Sequence, residues 1–130
     1  MSKFGDFIKA DDFKSEKHVP VIELPDNVNA GEEFDIKVTV GKEIGHPNLT
    51  EHFIGWIELY YNSSNEKAVY NLGRSEFHSH GESIKGANQG PAHTSPTATF
   101  SVKLEGAGTL VAVSYCNIHG VWESSKEIAF

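Results

Sequence analysis

The only cysteine of the chain, Cys116, is followed three positions later by a histidine and then by a glycine, within Ser114-Tyr115-Cys116-Asn117-Ile118-His119-Gly120. It comes straight after the apolar run Leu110-Val111-Ala112-Val113, which reads as a buried strand. A strand that ends in Cys-x-x-His and turns at glycine can aim a sulfur and an imidazole at one point in space. Seven histidines supply further candidates: His18, His46, His52, His78, His80, His93 and His119. His46 and His52 bracket a loop containing Pro47, and His18 stands just before an extended segment. These positions lie at element ends, where ligands from different strands converge at one end of a sandwich. A single surface histidine or a single buried cysteine ordinarily has no such role. The combination, in a small domain with one thiol, is what points to a metal.

One thiolate with several imidazoles suits zinc, copper or iron rather than magnesium or calcium. Structural zinc closes at four ligands, commonly with more than one cysteine, whereas His18, His46, His52, Cys116 and His119 make five candidates. Copper in a β-sandwich also uses Cys-x-x-His after a late strand, with a histidine upstream and a weak axial methionine. The only methionine here is Met1, and Gly120-Val121-Trp122-Glu123 offers no thioether. A blue-copper-like electron carrier is the alternative to a redox iron site.

The elements that must position these side chains are short. The chain has 130 residues, the size of one domain with a real core, and its 38% apolar and 22% charged residues are those of a soluble globular protein. It holds no apolar run long enough to span a membrane. Its start lacks the apolar stretch of a secretory signal, so the expected compartment is cytoplasmic. A lone cysteine forbids an internal disulfide. The net charge of −7 argues against nucleic acid, which needs a basic face. An anionic substrate would need a local positive patch.

Residues 1–15 read as an N-terminal arm, with Phe4, Phe7 and Ile8 spaced for one helical turn, laid over the domain or over a neighbouring subunit. Pro20 makes the next segment extended. Glu33 to Val40 alternates apolar and polar residues, as a half-buried strand does. His52 to Tyr61 is rich in aromatic and branched residues and reads as a long central strand. Lys67 to Leu72 and Ser75 to His80 read as two further strands. Gly81 to Pro96 has no periodicity and reads as a long functional or mobile loop. Thr97 to Leu104, Thr109 to Tyr115 and Val121 to Ala129 complete the set. About seven short strands and no long helix predict an all-β, immunoglobulin-like antiparallel β-sandwich, with residues 16–130 as a single domain.

Glu16-Lys17-His18-Val19-Pro20, Gly45-His46-Pro47-Asn48 with Glu51-His52, Trp56-Ile57-Glu58-Leu59-Tyr60, and the Cys116 stretch together resemble the superoxide reductases. Similarity is greatest to the one-iron, neelaredoxin-type members of the desulfoferrodoxin iron-domain family, and it runs from about residue 16 to the C-terminus. The extra Cys₄ iron centre of the two-domain relatives cannot exist in a chain with one cysteine. The resemblance implies one iron per chain, with His18, His46, His52 and His119 as equatorial ligands and Cys116 as axial thiolate. It implies that Glu16 can take the sixth position once iron is ferric, and that Lys17 supplies positive charge and helps deliver protons. It further implies an enzyme that reduces superoxide to hydrogen peroxide, an external donor of rubredoxin type, and a homotetramer. His78, His80 and His93 fall outside that pattern and read as solvated loop or interface residues. Trp122 and Glu123 read as packing around the Cys116 loop, where backbone donors to sulfur would tune the potential.

Overall fold

The computed structural model describes residues 3–130, so the first two residues of the N-terminal arm lie outside the described residues. The strands are β1 (Pro20–Glu23), β2 (Glu33–Val40), β3 (Ile54–Ser63), β4 (Val69–Glu76), β5 (Thr97–Lys103), β6 (Gly108–Cys116) and β7 (Gly120–Ile128). One sheet has the order β1-β2-β5 and the other β4-β3-β6-β7. Every strand pairing is antiparallel. This is the two-sheet, immunoglobulin-like sandwich expected from the strand pattern. No helix among the described residues is long and apolar enough to cross a membrane.

Side chains alternate across a strand, so each run sends every second residue to one face. Ile36, Val38 and Val40 of β2, Ile57, Leu59 and Tyr61 of β3, and Ala98, Phe100 and Val102 of β5 meet in a single buried core. Each large side chain so buried contributes about 1.5–3 kcal/mol relative to exposure. The Tyr61 hydroxyl leaves this core at one end and donates to the Gly106 carbonyl at 2.6 Å. On β6 the inward row is Leu110, Ala112, Ser114 and Cys116, all buried. Strand parity therefore delivers the Cys116 thiol to the inner face, at the end of the sheet away from Tyr61.

The two strands expected over Lys67 to His80 are one. β4 runs through Gly73, which has φ of 154°, and the register against β3 shifts between Leu59 and Tyr60. The extra residue is a β-bulge, and a glycine there accommodates both the backbone and the close approach of the facing sheet. A Cβ at Gly73 would lie 2.9 Å from Phe100 Cδ1.

The stretch Gly81 to Pro96 is aperiodic, yet hydrogen bonds hold it in place. Gly81 N–H donates to Ala92 O, Gly90 N–H to Gly81 O, and Thr94 N–H to Ser79 O, at 2.9, 2.9 and 2.7 Å. Asn88 grips the His46–His52 loop from both sides: its Oδ1 accepts from Thr50 N–H at 2.8 Å, and its own N–H donates to Thr50 Oγ1 at 3.0 Å. The N-terminal arm begins with one helical turn, α1 (Phe4–Phe7), and lies on its own domain at Lys9. Lys9 N–H donates to Val121 O at 3.1 Å and Lys9 O accepts from Glu123 N–H at 2.9 Å, so the arm extends the free edge of β7.

Gly73→Ala is expected to destabilise the protein by about 1–3 kcal/mol, through strain at a positive φ and the clash with Phe100. Urea unfolding measures it, and an unchanged midpoint would mean that the bulge relaxes freely.

Candidate metal centre

Cys116 ends β6 and Gly120 starts β7, leaving Asn117 to His119 as a three-residue connection. Gly120 has φ of 86°, the left-handed position on which such hairpins close. The turn folds His119 N–H onto Cys116 Sγ at 3.4 Å and leaves His119 Nδ1 3.7 Å from the same sulfur. That contact is the backbone donor to sulfur expected at this loop.

Asn117 fastens this hairpin to the segment carrying His52. Its Oδ1 accepts from Phe53 N–H at 2.8 Å, its Nδ2 donates to Glu51 O at 3.0 Å, and its N–H donates to Phe53 O at 3.2 Å. His52 lies between those two residues. Sequence reasoning passed over Asn117, although an asparagine opening a short turn is the residue type suited to bonding nearby backbone.

His18 arrives from the first sheet, immediately before Val19 and β1. Its carbonyl accepts from Ser114 Oγ at 3.1 Å, and Ser114 belongs to the same inward row as Cys116. Its ring stacks on Trp122 with centroids 4.9 Å apart at 13°, while Trp122 Nε1–H donates to the His119 carbonyl at 3.3 Å. Trp122 thus touches two candidate ligands, as its place near the loop suggested. Glu16 Oε1 accepts from His18 N–H at 2.8 Å and lies 2.5 Å from His18 Nδ1. That leaves His18 Nε2 facing His119 Nδ1, 3.1 Å away.

The ligand-type atoms of His18, His52, Cys116 and His119 all lie within 4.8 Å of one another. His46 stands alongside this group rather than inside it, its ring centroid 4.8 Å from those of both His18 and His52. Its Nδ1–H donates to Pro47 O at 2.7 Å, which places the lone pair on Nε2. Both His46 Nε2 and His52 Nε2 are buried and have no hydrogen-bond partner.

These features fit a bound metal ion. Two ligands at right angles on bonds of about 2.1 Å stand about 3.0 Å apart, close to the His18–His119 separation. A buried polar atom without a partner costs about 1–3 kcal/mol, and two on adjacent rings call for a common partner. The donor set of imidazoles and one thiol selects a transition metal.

The electrostatics agree. Burial pushes the His46 pKa down to about 4, against the Pro47 hydrogen bond and with help from the charges of His18, His52 and Lys17. Burial likewise lowers His18, against the pull of Glu16, and lowers His52. Neutral imidazoles at pH 7 offer lone pairs without a proton to displace. Burial works to raise Glu16, but the hydrogen bonds from His18 outweigh it and its pKa is lowered, so the carboxylate is ionised. Lys17 is half-buried and makes no ion pair among the described residues.

Of the other expected site residues, Glu16 is occupied with His18 in this arrangement. His78 is exposed and stands 3.3 Å from Glu76, and His93 is exposed. His80 departs from the sequence expectation: it is buried, with 2% of its surface exposed, and stacks on Phe53 with ring centroids 3.9 Å apart.

Residues 10–125 match the Desulfoferrodoxin family. The chain is 56% identical over 126 residues to a Thermotoga maritima protein, covering 97% of this chain and 96% of that one. It is 50% identical over 127 residues to a neelaredoxin of Megalodesulfovibrio gigas, covering 98% of each. The fold matches the reduced superoxide reductase (neelaredoxin) of Archaeoglobus fulgidus with a TM-score of 0.89 at 46% identity, over 95% of this chain and 98% of that one. The matched span takes in all the strand ends that meet at the histidine–cysteine cluster, and the chain belongs to the desulfoferrodoxin family.

Proposed function

We propose that the chain is a superoxide reductase, an oxidoreductase that converts superoxide to hydrogen peroxide with one electron and two protons. The observation that carries this reading is the pair of buried, partnerless Nε2 atoms on His46 and His52 beside the His18–Cys116–His119 group. The ligand set assigned is His18, His46, His52 and His119 with the Cys116 thiolate, and Glu16 as an exchangeable sixth donor. Iron held by this set, one ion per chain, supplies the electron by cycling between ferrous and ferric.

The chain's own residues do the rest. Cys116 is buried and receives the His119 N–H, which steadies negative charge on sulfur and keeps the thiolate in place. Glu16 holds His18 by its Nδ1, fixing the tautomer that leaves Nε2 free. To act as a ligand, Glu16 must give up its two His18 contacts. Lys17 is the nearby cation that draws in a small anion and can donate a proton to the reduced product.

The returning electron is assigned to an external one-electron donor of rubredoxin type, because a chain with one cysteine has no second thiol to store charge. The lone thiol also supports a cytoplasmic setting. Residues 1–15 are assigned as an arm on a single domain of residues 16–130. The exposed Phe4 and Phe7 of that arm, with Val69 and Tyr70 of β4, support assembly as a homotetramer.

Metal analysis of the purified protein is expected to give one iron per chain, with a thiolate absorption band when ferric and none when ferrous. Copper with an intense blue band would favour the electron-carrier alternative. Cys116→Ser is expected to abolish the thiolate band and most superoxide reduction, and retention of both would remove Cys116 from the ligand set. Lys17→Ala is expected to slow reaction with superoxide about 10-fold, and to flatten its dependence on ionic strength, with iron content unchanged. Pulse radiolysis against salt concentration reads this out, and loss of iron instead would make Lys17 a structural residue.

A further inference from the structure

His80 is the most deeply buried titratable side chain that the proposed chemistry leaves unused, with 2% of its surface exposed. Both ring nitrogens face acceptors: Nδ1 lies 3.0 Å from Asn48 Oδ1, and Nε2 lies 2.8 Å from Phe77 O. The Asn48 amide has a fixed orientation, because its Nδ2 donates to Thr94 O at 3.0 Å. The same ring lies flat on Phe53, at 3.9 Å and 9°. Around it, His80 N–H donates to Glu82 Oε1 at 2.6 Å, and Thr50 Oγ1–H donates to His80 O at 3.2 Å.

Asn48 stands two residues after His46, and Phe53 directly follows His52. One side chain therefore grips both ends of the loop that carries two of the assigned ligands, and anchors it to the hydrogen-bonded 77–96 segment. We propose that His80 is a positioning residue for the metal centre, holding the His46–His52 loop so that the two Nε2 atoms are aimed before metal arrives. An apolar residue could fill the volume but could make neither hydrogen bond. The cost of burying so polar a ring is offset only because every contact is satisfied. Preorganised ligands lose little freedom on binding. Changes to groups that orient metal ligands typically alter metal affinity about 10- to 100-fold.

The inference rests on the metal-site reading, and the test separates the two. Protein loaded with ferrous iron is mixed with excess chelator at pH 7, and iron release is timed for wild type, His80→Phe, Asn48→Ala and the double variant. Thermal unfolding of each metal-free protein is recorded in parallel. His80→Phe keeps the stack on Phe53 and loses both hydrogen bonds. Asn48→Ala breaks the same connection from a half-buried loop position and carries the test if His80→Phe does not fold. Release about 10-fold faster in each single variant, with the double no faster than the singles, supports a shared clamp. Wild-type release rates with only a lowered unfolding temperature would reduce His80 to a core residue and overturn the proposal. If wild-type protein takes up no iron, the metal-site reading itself fails.

Discussion

Two imidazole nitrogens buried side by side without a partner are the constraint on which this structure turns. An orphaned acceptor of this kind costs about 1–3 kcal/mol, and burial, which lowers the pKa of both His46 and His52, leaves each Nε2 with no partner among the described residues. A metal ion shared by these rings would relieve that cost, which would link binding here to stability.

The fold meets that constraint by placing ligands where strands end. Cys116 is inward because it continues the parity of Leu110, Ala112 and Ser114. His119 reaches it through the Gly120 turn. His18 crosses over from the opposite sheet and is tied to the same row through its carbonyl and Ser114 Oγ. The His46–His52 loop is held by Asn117 on one side and by Asn88 and His80 on the other. Each ligand comes from a stretch with its own anchor, so no single loop has to define the geometry.

Much of this was legible in the chain. Alternation over Glu33 to Val40 and Thr97 to Leu104 gave the inner faces of β2 and β5, and Cys-x-x-His-Gly after an apolar run gave the end of β6. What stayed hidden depended on partners distant in sequence. β4 read as two strands because Gly73 interrupts its pattern, whereas the glycine is what lets the strand bulge under Phe100. The 81–96 stretch read only as a long functional or mobile loop, because its order comes from backbone bonds and from Asn88, which leave no hydrophobic period. His80 read as a solvated loop or interface residue because nothing local shows that Phe53, Asn48 and Phe77 close around it. The Glu16–His18 contact was likewise not legible, because it depends on how the residues just before β1 fold back at the site.

That last arrangement bears on how an acidic protein can receive an anion. A net charge of −7 would repel superoxide if every charge acted at full range. At physiological ionic strength the screening length is about 8 Å, so carboxylates spread over the far surface contribute little at the site, and the nearest charges decide. The Glu16 carboxylate, in contact with His18, has its charge engaged by the His18 N–H and ring. Lys17, the next residue, makes no ion pair among the described residues and keeps its charge available. Adjacent positions in the sequence are thus partnered differently: Glu16 bonds His18 within the cluster, and Lys17 makes no ion pair among the described residues. How those two side chains are partnered is set by the fold, and composition alone cannot express it.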